Sequence, residues 1–118
     1  MISYDKRCFR SVRNSGTGEV NGATIFYYRQ EGRLVTATYS GGAILQGHLI
    51  ALCDAGGALD MRYHHVNSAG ELMTGTCRSV PELMADGRLR LYEQWQWTSG
   101  DGSCGESIIE EINGCASL

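Results

Sequence analysis

From Arg88 to Thr98 the chain reads RLRLYEQWQWT, an alternation of polar and apolar residues with the period of a half-buried β-strand. Its odd positions put Leu89, Leu91, Trp95 and Trp97 on one face together with a carboxylate, Glu93. A charge on a core-facing side is costly unless it is paired, protonated or wetted, so Glu93 marks a polar lining or a misread face. Similar runs follow one another along the whole chain, separated by short turn signals at Asn21-Gly22, Glu31-Gly32, Gly41-Gly42, Asp54 to Gly57, Asn67 to Gly70, Asp86-Gly87 and Ser99 to Gly102. The pattern predicts about eight strands, near 6–13, 23–30, 33–40, 44–53, 58–67, 71–78, 88–98 and 105–112. The best helical candidate, Val80 to Ala85 (VPELMA), is six residues long and holds the one proline, so it is expected to form at most one turn.

Antiparallel strands joined by tight turns are neighbours in the sheet, and eight of them in an open sheet would leave two edges unpaired. Closing the sheet removes both edges. The fold expected is therefore all-β, an antiparallel up-and-down meander closing into a calycin-like (lipocalin/fatty-acid-binding-like) barrel. A strongly curved, partly open sheet is the alternative. In either case the first strand must find the last. A turn glycine followed two residues later by Leu recurs in GRLVTATYSG, GALDMRYHHV, GELMTGTCRS and GRLRLYEQWQ, but with drifting spacing, as repeated hairpin grammar produces.

Composition agrees with a single domain over 1–118: 42% apolar residues, 19% charged, and 16 glycines scattered between the runs. A net charge of -3 with ten Lys and Arg argues against nucleic acid as a partner. Lys6, Arg7, Arg10 and Arg13 are the one basic cluster, and they read as the solvated face of an edge strand. No signal peptide or membrane span is recognisable, so a cytoplasmic protein that does not engage membranes is expected. Five cysteines, Cys8, Cys53, Cys77, Cys104 and Cys115, are an odd number without a C-x-x-C pair, which indicates neither a disulfide framework nor a zinc ribbon.

With the odd face of 88–98 turned inward, the matching lining of its neighbours is Val35, Ala37 and Tyr39; Gly47, Leu49 and Ala51; Leu59, Met61, Tyr63 and His65; Met73, Gly75 and Cys77. Tyr39, Tyr63 and His65 can hydrogen-bond Glu93, and all three are expected to converge on it. Pairing with an internal Arg62 or Arg78, or exposure near a barrel rim, are the other readings of Glu93. His64 and His65 are adjacent in a strand and face opposite sides. His48 lies opposite to the lining, so a metal site from His48, His65 and Glu93 would need a bulge near Gly47; no metal is expected. Ile25 to Tyr28 and Leu49 to Cys53 are apolar on both faces, which points to a cover on the outer wall, such as a second subunit in a homodimer.

Gly100, Gly102 and Gly105 spell G-x-G-x-x-G, but they lie between two strands with no helix to hold a pyrophosphate, so no dinucleotide or other cofactor is expected. Cys104, in the same loop, has no neighbour that would activate a thiolate, and no serine stands in a G-x-S-x-G elbow. The segments Gly47 to Gly75 and Arg88 to Glu111, above all DMRYHHVN, GELMTG and EQWQWTSGD, resemble a family of small bacterial proteins labelled N-acetylglutamate synthase. The resemblance runs from about Phe9 to Ile112. It implies a compact bacterial cytoplasmic protein and, from the label, acetyl transfer to glutamate. The residues themselves supply no R/Q-x-x-G-x-G/A loop at a helix N-terminus for acetyl-coenzyme A. They favour a non-catalytic barrel that binds a small molecule through Tyr39, Tyr63, His65, Glu93, Trp95 and Trp97. The alternatives are an enzyme using Glu93 with His65 or His48 as acid and base, and a structural or protein-interaction module.

Overall fold

The computed structural model describes residues 2–114; Cys115 lies outside the described residues. Eight strands follow in order: β1 (Cys8–Asn14), β2 (Ile25–Glu31), β3 (Leu34–Gly41), β4 (Ile44–Cys53), β5 (Leu59–Asn67), β6 (Leu72–Leu83), β7 (Leu89–Trp97) and β8 (Cys104–Glu111). Each pairs antiparallel with the next, and β1 closes on β8 through Phe9 to Asn14 against Glu111 to Ser107, giving a closed barrel. Of the basic cluster, Arg10 lies where β1 is paired on both sides, Arg13 pairs with β8 alone, and Lys6 and Arg7 precede the strand.

One expectation fails in β6. Val80 to Leu83 continue the strand, and Pro81 stands opposite Leu91 of β7. A strand partner already in place outweighs the weak local preference of six residues, and proline's missing N–H is tolerated near a strand end. Cys53, Cys77 and Cys104 are free thiols, whereas Cys8 is disulfide-bonded, which the odd count had not suggested.

The meander places the β2–β3, β4–β5 and β6–β7 turns at one end of the barrel and the other four connections at the opposite end. The first end is plugged. Tyr4, Phe9, Tyr28, Val35, Leu59, Leu89, Leu91 and Ile109 are all buried there. Tyr4 reaches in from the N-terminal segment, packs against Tyr28 and donates its hydroxyl to the Gly57 carbonyl across the β4–β5 turn. The second end carries the larger aromatic rings, and glycines make room for them. A Cβ on Gly47, Gly75 or Gly105 would run into the ring of Tyr39, Tyr63 or Trp95 on the adjoining strand. Each of these pairs is a direct cross-strand neighbour, so the ring lies across the partner's bare backbone.

Candidate functional site

The interior of the second end is built in cross-strand rows. Ser79, Glu93 and Ser107 stand opposite one another on β6, β7 and β8. The next row is Met61, Cys77, Trp95 and Gly105, and beyond it come Leu49, Tyr63, Gly75 and Trp97. Tyr39, Gly47, His65 and Met73 form the outermost row. These rows surround a slender cavity with about 60 Å³ of free space, room for a few waters. Phe26, Asn14, Glu19 and Val20 complete its wall.

The inward register of β7 and its neighbours is the one that alternation predicts. Tyr39, His65, Trp95 and Trp97 are buried, and Tyr63 and Glu93 keep partial exposure while lining the cavity. Trp95 and Trp97 pack at 5.7 Å between ring centroids, and Tyr63 and His65 meet Trp97 edge-on at 5.7 and 5.6 Å. The result is an aromatic box with a carboxyl at its inner end.

The expected convergence on Glu93 is not what the side chains do. Its carboxylate accepts a hydrogen bond from Ser107 Oγ at 3.0 Å. Tyr39 and His65 turn the other way, toward Glu19. Tyr39 Oη lies 2.9 Å from His65 Nδ1, and His65 Nε2 lies 2.8 Å from Glu19 Oε1. A carboxylate only accepts, so Nε2 donates there, and in the neutral ring Nδ1 accepts from the tyrosine hydroxyl. Asn67 Nδ2 donates to the other Glu19 oxygen at 3.0 Å. The internal arginines considered for Glu93 are outside: Arg62 pairs with Asp60 at 2.7 Å, and Arg78 is exposed. His48 also faces outward, opposite His64, so it cannot join His65 and Glu93 in a metal or acid–base site.

Glu19 belongs to the longest connection, residues 15–24 between β1 and β2, which covers the cavity mouth. Val20 of this loop packs against the core. Trp97 Nε1 donates to the Thr17 carbonyl at 3.3 Å, and Asn14 Nδ2 donates to the Val20 carbonyl at 3.0 Å. Asn14 also accepts from Trp95 Nε1 at 3.0 Å, so one side chain holds both loop and aromatic wall. Asn14, Glu19, Val20, Phe26 and Ser107 were not in the sequence-derived lining. Glu19 and Val20 carried a signal: they are the one charge and the one large apolar residue between Ser15 and Thr24.

Burial raises Glu93 from 4.5 to about 7, against the pull of the Ser107 and Ser79 hydroxyls. Ser79 is close enough to favour the charged form, yet its Oγ makes no hydrogen bond among the described residues. A hydroxyl can act through its dipole without a directed bond. Tyr28 Oη, also buried, likewise has no hydrogen-bond partner among the described residues. Burial, reinforced by nearby groups that include Glu93, pushes the Tyr39, Tyr63 and Cys77 acids well above their ordinary values, so all three stay protonated. None of them is an activated nucleophile.

The model of the avidin-like protein family matches residues 2–112. The chain belongs to the avidin-like family. This membership and the closed meander identify a non-catalytic barrel of small-ligand-binding type. It also corrects the resemblance to proteins labelled N-acetylglutamate synthase: the family spanning nearly the whole chain is a different one. No curated protein and no solved structure matches. In this avidin-like chain the candidate ligand space is the aromatic box between Glu93 and the 15–24 loop.

Proposed function

We propose that this avidin-like barrel holds a small molecule with a flat apolar body and N–H donor groups at its inner end. The observation that carries the reading is a carboxyl with a single directed partner among the described residues, Ser107, at the end of a box walled by Tyr63, Trp95 and Trp97. The rings sandwich an apolar body, and Glu93 accepts from donors on it. Biotin, whose cyclic urea carries two such N–H groups, is the first probe for a barrel of this family. The free space of about 60 Å³ is small for it, so binding requires the 15–24 loop to lift and Val20 to withdraw.

Trp95 and Trp97 are the only tryptophans, so their emission reports the site. Titration with biotin at pH 8 should give a saturable change that Glu93→Gln weakens by at least about tenfold, the loss expected for a charge-assisted bond. No saturable change, or an unaltered affinity in the variant, overturns the proposal.

We further propose a homodimer. Its support is the outer wall of β3 and β4, where Leu34 and Leu52 are direct neighbours and are exposed at 43% and 50%, beside Ile50 at 54%. Leu52→Lys should shift the sedimentation coefficient to that of a single chain. A wild-type protein that already sediments as a monomer at micromolar concentration removes this part of the reading.

A further inference from the structure

On the outside of the same wall, β4 and β5 bring the two remaining histidines together. His48 and His64 are directly opposed in the register, and their rings lie 5.6 Å apart with an interplanar angle of 36°. That geometry is a poor stack, and the His64 side chain makes no hydrogen bond among the described residues. His48 has one side-chain hydrogen-bond partner among the described residues, Gln46, whose amide nitrogen is 3.2 Å from its Nε2.

We infer that His48 and His64 form a surface site for a borderline divalent transition-metal ion, with Cu²⁺ and Zn²⁺ as the class it takes. Imidazole nitrogens suit these ions, and bond lengths near 2.0–2.1 Å require the two ligating nitrogens to lie about 3 Å apart. Directly opposed residues on neighbouring strands start with their Cβ atoms only about 4.5–5.5 Å apart, so ring rotation alone closes the gap. Neither strand has to move.

Arg7 and Arg29 line the outer hollow on the β3 side of His48, and Arg7 is held by Glu111 at 2.6 Å. Arg62 is the nearest basic residue on the outer face of β5, and its guanidinium is turned back onto Asp60 Oδ1 at 2.7 Å and the Met61 carbonyl at 3.0 Å. Thr38 and Thr74 flank the pair on β3 and β6. Turning over the Gln46 amide presents its oxygen beside His48 as a third donor. Water fills the positions that remain, which makes the site exchangeable. It is separate from the candidate ligand space, because Leu49, Tyr63 and His65 on the same strands point inward.

The test uses the full chain carrying Cys104→Ser, which removes an exposed thiol that would compete for the ion. Zinc chloride is added while the ring protons of the three histidines are followed by NMR. The His48 and His64 signals should move together, saturate at one ion per chain and leave His65 unmoved. His48→Asn or His64→Asn should each weaken binding at least about tenfold, the scale on which a metal site responds to losing a supporting group. Both positions lie on the outer wall, so both variants should fold. Retained affinity in either variant, different midpoints for the two rings, or a His65 response overturns the inference.

Discussion

Glu93 stands at the boundary between the apolar plug and the cavity, and its titration should be visible in stability. In the unfolded chain the group ionises near 4.5, and in the barrel at about 7. Between these values the folded protein holds a proton that the unfolded chain has released. Stability contributed by this group is therefore complete below pH 4.5 and is lost as pH rises through 7, by about 3 kcal/mol. Glu93→Gln keeps the neutral shape and removes the charge. Thermal unfolding of both proteins from pH 4 to 8.5 should give similar curves at the acid end and a more stable variant above pH 7; parallel curves across that range would falsify the assignment. At this scale the sequence was legible in direction but not in partnership. Alternation puts Tyr39, Tyr63, His65, Trp95 and Trp97 inside, because side-chain direction follows from period alone. It does not say that Tyr39 and His65 bond to Glu19, since that carboxylate reaches them from a loop with no period.

Elements are held in register by rings lying over glycines, and this has a measurable consequence. Gly75 has no positive φ, so alanine there suffers no backbone strain. Its Cβ, however, would meet the Tyr63 ring and come within 2.7 Å of the Gln96 carbonyl oxygen on the paired strand. Tyr63 can swing aside, whereas the carbonyl is fixed in the β6–β7 ladder. Gly75→Ala should therefore destabilise the barrel by about 1–3 kcal/mol, the usual cost of overpacking, and disturb the tryptophan emission. Urea unfolding decides the point, and an equal or higher midpoint would show that the wall yields freely. The same strand explains where the sequence reading stopped short. VPEL offers a proline and helix-forming residues, yet it lies in register with Leu89 to Tyr92 across the Asp86-Gly87 turn, and its residue types, read alone, hide the hairpin partner. Strand 44–53 was legible to its ends because a turn signal stands on each side.

The whole molecule divides its tasks between the two ends of one barrel. Stability is concentrated where Tyr4 closes the end packed with Phe9, Tyr28, Leu59 and Leu89, while the candidate ligand space, both tryptophans and the covering loop lie at the other. Tyr4 is fully buried although it precedes the first strand, and sequence alone gave no reason to place it in the core. Its segment is tied on by the Tyr4 hydroxyl to Gly57, by the Tyr4 amide to Gln30 Oε1 at 2.7 Å, and by Arg7 to Glu111 at 2.6 Å. Tyr4→Ala removes a buried ring and leaves a cavity, which should cost about 3–5 kcal/mol. Because the lost contacts lie below the row of Glu93, the folded variant should keep the tryptophan emission maximum of the wild type and the same response to any ligand of the aromatic box. Denaturant unfolding followed by fluorescence reads both quantities in one experiment. A large fall in midpoint with unchanged native emission is the expected pair of results. A shifted native spectrum would mean that the two ends are coupled through the barrel, and the division of tasks would have to be given up.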